Sequence, residues 1–108
     1  MTVEKSQRLL GMLGFAMRAG RLIIGTEMVC KAMPQGAKAP KLVLVSESAS
    51  DGTKKKITTK CEFYKIKSVQ INMSTDEIGN LLGKTYSPAV IGITDDGFAR
   101  EIEKLIVR

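Results

Sequence analysis

Arg21-Leu22-Ile23-Ile24-Gly25-Thr26-Glu27-Met28-Val29-Cys30-Lys31 passes from a short apolar run to a helix start with one glycine between them. Leu22-Ile23-Ile24 reads as a strand that ends at Gly25. Thr26 then opens a helix, because a threonine hydroxyl can accept a hydrogen bond from an otherwise unpaired backbone N–H. The cluster sets out backbone donors, a hydroxyl, the Glu27 carboxylate and, one turn on, the Lys31 ammonium. A helix start favours anions through its dipole and its free N–H groups. On a basic chain that anion is a phosphate, and the polymer of phosphates is nucleic acid. The plainer reading is an ordinary strand–turn–helix connection with a solvated rim, and only a site argument separates the two.

The same alternation continues outward. Residues 4–19 read as a helix closed by Gly20, with Leu9, Leu13, Ala16 and Met17 on one face at helical spacing. The helix from Thr26 runs to Met33, where Pro34 and Gly36 end it. Lys41-Leu42-Val43-Leu44-Val45 is a nearly continuous apolar run, as expected of a strand buried on both faces. Asp51 is the expected cap of a helix reaching about Lys65. Ser68-Val69-Gln70-Ile71-Asn72 alternates polar and apolar, as an edge or half-buried strand would. Ser74-Thr75-Asp76-Glu77 has the pattern of a capping box ahead of Ile78, Leu81 and Leu82. Ala89-Val90-Ile91-Gly92-Ile93 is another buried strand. Asp95 or Asp96 starts a last helix, with Phe98, Ile102, Leu105 and Ile106 on one face. The order αβαβαβαβα with short connections implies one α/β domain over residues 1–108, a three-layer α/β/α sandwich.

Charge narrows the partner. The chain of 108 residues carries a net charge of +6. Residues 1–67 hold 13 Lys/Arg against 5 Asp/Glu, and residues 68–108 hold 4 against 6. A positive excess confined to one part of the chain suits a polyanion, since lysine and arginine gain affinity by displacing counterions from phosphates. Lys54-Lys55-Lys56 reads chiefly as a solvated helix face. Lys5, Arg8 and the apolar run from Leu9 imitate a leader, but Arg18 and Arg21 follow too soon for a cleavage site. A cytoplasmic protein with no membrane span is the expectation. Cys30 and Cys61 are the only cysteines and read as buried or half-buried reduced thiols.

Enzymatic signals are weak. With no histidine, Ser–His and Cys–His pairs and zinc-ligand patterns are excluded. Asp95-Asp96 and Asp76-Glu77 point in different directions on a helix and complement its dipole. Gly79-Asn80-Leu81-Leu82-Gly83-Lys84-Thr85 imitates a phosphate-binding loop. It has one residue too few between its glycines, and it ends a helix instead of opening one. Gly83 reads as a C-cap, with Lys84 placed favourably at the helix C-terminus. No catalytic residue, metal or cofactor is expected.

Tyr86-Ser87-Pro88-Ala89 forms the loop entering the last strand. If it lies beside Gly25, the two make a composite surface, with donors and charge from one side and shape from the other. Taken together, Gly25–Lys31, Lys41–Ser50, Cys61, Leu82-Gly83-Lys84 and Ala89–Thr94 resemble the kink-turn-binding ribosomal proteins, the L-seven-A-e, L-thirty-e, S-twelve-e and Gadd-forty-five superfamily. Residues 13–20 and Thr94–Ala99 point to its small bacterial YlxQ-like branch. The resemblance covers nearly the whole chain and implies an L-thirty-e-like sandwich, with a central mixed four-stranded sheet, that binds kink-turn RNA. In such proteins the start of the second helix enters the widened groove at tandem sheared G·A pairs. The family pattern there is Gly-Thr-Asn-Glu, two variable residues, then Lys.

This chain keeps Gly25, Thr26 and Lys31 and has Glu27 and Met28 in place of Asn and Glu. Ionised Glu27 only accepts hydrogen bonds, and Met28 offers shape alone. The resemblance assigns close backbone approach to Gly25, capping and phosphate contact to Thr26, and base edges to Glu27 and Lys31. Arg21, Lys38 and Lys84 supply backbone charge, and Ser87, Pro88 and Ala89 shape the second RNA-facing loop. The expected partner is ribosomal or another kink-turn RNA, bound by a monomer associated with the ribosome. A protein-interaction module on the same fold, its RNA site altered at Glu27 and Met28, is the competing expectation.

Overall fold

The structure, a computed structural model, describes residues 3–106, with side chains described from Gln7 onward. The Lys5 side chain of the leader-like segment therefore lies outside the described residues. The elements are α1 (Val3–Arg18), β1 (Leu22–Ile24), α2 (Thr26–Ala32), β2 (Leu42–Ser46), α3 (Asp51–Tyr64), β3 (Lys67–Ile71), α4 (Thr75–Leu82), β4 (Val90–Ile93) and α5 (Asp96–Ile106). The apolar repeats that predict helices and strands are the ones that form them. Pro34 and Gly36 do end α2, although Met33–Lys38 continues as a 3-10 turn that kinks at Gly36.

The strands make one mixed sheet of order β1-β4-β2-β3. β2 runs parallel to β3, while β4 is antiparallel to both β1 and β2. Alternation along each strand sends side chains to opposite faces. Leu42, Leu44, Ile71, Ile91 and Ile93 pack with Leu9, Leu13, Ile78, Leu82 and Ile102 of α1, α4 and α5. Val43, Val45 and Val90 pack on the other face with Val29 of α2, Met33, and Ile57 and Cys61 of α3. That is the three-layer sandwich. Gly92 lets α2 settle close to the sheet, since a Cβ there would lie 3.0 Å from Pro40 Cβ and 3.4 Å from Val29 Cγ2.

The starts of α3, α4 and α5 follow local chemistry, with one correction. Ser50, not Asp51, caps α3: its hydroxyl accepts from the Thr53 N–H at 3.1 Å, and Asp51 becomes the first helical residue. An acid fits there equally well, because the first turn favours negative charge. Ser74 and Glu77 form the full capping box of α4, at 3.1 and 2.9 Å. Asp95, not Asp96, caps α5 by accepting from the Phe98 N–H at 2.9 Å.

Candidate nucleic-acid interface

Gly25 holds φ 103° and ψ 148°, a region essentially reserved for glycine. Its carbonyl accepts from the Val29 N–H at 3.0 Å, so Gly25 itself is the N-cap of α2. The expectation that Thr26 caps is thereby corrected. Thr26 is the first helical residue, and no side chain caps the helix. The Thr26 hydroxyl takes no part in capping α2, and space outside Gly25 is open, with no atom within 4 Å of where a Cβ would stand.

One backbone bond ties this turn to the start of β4, directly after the second loop, and another ties the loop to the end of β2. The Gly25 N–H donates to Val90 O at 2.9 Å, and the Ser46 N–H donates to Ala89 O at 2.8 Å. The loop is seated from below by α4. Gly83 takes the left-handed conformation at φ 66°, and the Lys84 N–H returns to Gly79 O at 2.9 Å, closing a Schellman-type end. Ser87 Oγ donates to Asp76 Oδ1 at 2.7 Å. The loop lies directly on Gly79, where a Cβ would come within 2.7 Å of Tyr86 O and 3.5 Å of Pro88 Cδ. Pro88 is consequently buried and acts as a wedge beneath the loop, leaving the apolar outer surface to Tyr86, which is 54% exposed.

Buried Ser46 ties the supports together. Its hydroxyl donates to Met73 O at 2.6 Å, just ahead of α4, while Ser48 Oγ accepts from the Thr75 N–H at 3.0 Å. Ser46, Asp76 and Gly79 are residues that reading the sequence does not assign to the site, and Tyr86 enters it only as part of the second loop, without a role of its own. Only Gly79 carries a local signal, a glycine inside a helical pattern that calls for a packing reason.

The structure thus gathers Gly25, Thr26, Glu27, Met28, Ser87, Pro88 and Ala89 at one end of the sheet, with Lys31 one turn along α2 and Lys84 at the root of the loop. Glu27, Lys31, Lys84 and Ser87 are exposed, as is Met28 at 56%. Arg21 and Lys38 are elsewhere. Arg21 O accepts from the Thr94 N–H at 2.9 Å, beyond the far end of β4. Lys38 closes the 3-10 turn on the same side, where the Lys41 N–H donates to Ile93 O at 2.6 Å. The length of β4, roughly 10 Å at about 3.4 Å per residue, separates them from Val90.

Among the described residues no three His, Cys, Asp or Glu side chains stand together as metal ligands, and no helix is long and apolar enough to cross a membrane. Both cysteines are free thiols, Cys30 half-buried and Cys61 buried. Burial pushes the Cys61 thiol above its ordinary pKa of 9.0, against a smaller opposing effect of the Ser68 hydrogen bond.

Residues 7–103 match the model of the Ribosomal protein L7Ae/L30e/S12e/Gadd45 family. The chain is 38% identical over 100 residues to the RNA-binding protein YlxQ of Enterococcus faecium, covering 93% of this chain and 92% of that protein. It is 34% identical over 98 residues to the large ribosomal subunit protein eL30 of Sulfolobus acidocaldarius, covering 91% and 92%. A solved protein of unknown function from Bacillus halodurans superposes with a TM-score of 0.82 at 37% identity, covering 93% of this chain and 97% of that one.

Proposed function

Because the chain belongs to the Ribosomal protein L7Ae/L30e/S12e/Gadd45 family, in its YlxQ-like part, we propose that it is a non-enzymatic RNA-binding protein that recognises a kink-turn or a related G·A-rich internal loop. It acts as a cytoplasmic monomer in association with the ribosome. The observation that carries this reading is the hydrogen bond from the Gly25 N–H to Val90 O, 2.9 Å long, which holds the turn before α2 against the start of β4, where the second loop ends.

Each residue then has a physical task. Gly25 leaves room for a nucleotide to approach the backbone. The uncapped first turn of α2 and the Thr26 hydroxyl receive a phosphate. Glu27 accepts from an exocyclic amino group of guanine or adenine, Met28 packs on a base, and Lys31 donates to guanine O6 and N7. Lys84 neutralises the backbone. Tyr86, held over the Pro88 wedge, receives an unpaired nucleotide by stacking. Arg21 and Lys38 reach only RNA that extends past the far end of the sheet.

A gel shift against a kink-turn RNA, and against the same RNA with its G·A pairs replaced by Watson–Crick pairs, tests the reading. The first should bind more tightly, with an affinity that falls steeply as salt rises. Lys31→Ala should weaken the first by about 1–3 kcal/mol, the usual worth of a good base contact. Equal binding of the two RNAs refutes G·A recognition. No binding of either at low salt leaves the protein-interaction module as the function of the fold.

A further inference from the structure

The surface described so far uses only Lys31 and Lys84 as cations close to the RNA, yet the positive excess of the chain is centred on α3. Between residues 54 and 67 there are six lysines and a single acid, Glu62. Two of those lysines are placed with care. Lys56 and Lys60 line a concavity of about 310 Å³ between α2 and α3, together with Glu27, Cys30 and Lys31. No carboxylate among the described residues lies within 4.0 Å of any of the three lysines, the ion pairs being Lys67–Glu103 and Lys104–Glu101. Against the single carboxylate of Glu27 the groove gathers three ammonium groups, a net positive lining whose cations repel one another.

Phe63 extends the same line. Lys56, Lys60 and Phe63 are spaced i, i+4 and i+7 and so share a helix face. Phe63 is 77% exposed, and the Tyr64 ring meets it edge-on at 4.9 Å and 86°. Cations followed by an open aromatic face are the recurring means of holding a single strand, phosphates on the charges and a base stacked on the ring. From Lys56 to Phe63 the helix rises about 10 Å.

We infer that the α2–α3 groove is a second RNA-contacting track, in which an unpaired strand flanking the primary RNA element lays its phosphates over Lys31, Lys56 and Lys60 and stacks a base on Phe63. The track rests on the RNA-binding reading above and begins at Lys31, the residue the two surfaces share. Glu27 marks the groove end at which phosphates give way to base edges.

The test compares a kink-turn RNA with short blunt stems and the same RNA carrying an unpaired tail of about eight nucleotides, within the usual span of single-strand sites. The tail is placed on each strand end in turn. One of the tails should tighten binding by the full-length protein about tenfold. The double variant K56Q/K60Q should lose that gain and lower the log–log salt slope on tailed RNA by about 0.7 for each lysine removed. It should bind blunt RNA as before. Phe63→Ala should lose about fivefold or more on tailed RNA alone. Lys56 and Phe63 are exposed, and glutamine keeps much of the stem of half-buried Lys60, so the thermal melts should stay unchanged, which separates lost contact from lost fold. If blunt kink-turn RNA binds but neither tail adds affinity, or the variants keep the gain, the track is wrong and the primary site stands. If the protein binds neither RNA, both readings fall together.

Discussion

At Gly25 a side chain would have space but no comfortable backbone. The φ of 103° and ψ of 148° are strained for any residue with a Cβ, by about 1–3 kcal/mol, although nothing stands within 4 Å to clash. Gly25→Ala should therefore lower stability by that amount in a urea melt. It should weaken kink-turn RNA binding further, because relaxing the strain moves the Gly25 N–H off Val90 O. Unchanged stability would show that the turn has another low-energy form. The glycine was legible as the end of a strand. The part played by Thr26 was not, because a cap and a first helical residue differ by one position, and only the Val29 N–H to Gly25 O bond tells them apart. A capping hydroxyl would be occupied by the helix, whereas that of Thr26 is not.

The element that sets the site is α4, although none of its residues was expected to do so. Its capping box and its Gly83 terminus are local patterns and could be read directly. The purpose of Gly79 could not, since it depends on the loop folding back over the helix. An exposed helical glycine replaced by alanine gains about 1 kcal/mol. Here the new Cβ would meet Tyr86 O at 2.7 Å, and crowding of that kind costs about 1–3 kcal/mol. Gly79→Ala should thus lower the melting temperature and, by lifting the loop, reduce RNA affinity more than stability. A higher melting temperature with unaltered affinity would mean that the loop does not depend on its seat. The same geometry explains why Pro88 was legible as a stiffener but not as a buried one, and why Tyr86 takes over the outer surface.

Across the molecule the two faces of the sheet bury different cores, and the α2–α3 core holds a thiol, Cys61, whose titration reports on folding. The neutral Cys61 thiol is favoured by burial, so its pKa in the folded protein lies above the ordinary 9.0. As pH rises the unfolded chain ionises first. The stabilisation is complete below pH 9.0 and fades as pH climbs through the folded pKa. The urea midpoint should fall with pH in that range, and less steeply in Cys61→Val; identical slopes would remove Cys61 as the cause. Iodoacetamide should label half-buried Cys30 in the native state and reach Cys61 only on unfolding. Strands, helices, their order and the layered architecture were all readable beforehand, because periodicity, caps and turn residues act over a few neighbours. The chain likewise disclosed its basic excess and the Gly25–Lys31 start. Which charges share a surface was settled by packing. Arg21 is near Gly25 in sequence, yet an extended strand carries it to the opposite end of the sheet. Ala89 is remote in sequence, yet the pairing of Ile24 with Ile91 brings its loop alongside. Strand register and the seating of a loop on a helix depend on contacts between distant segments, and no local pattern encodes them.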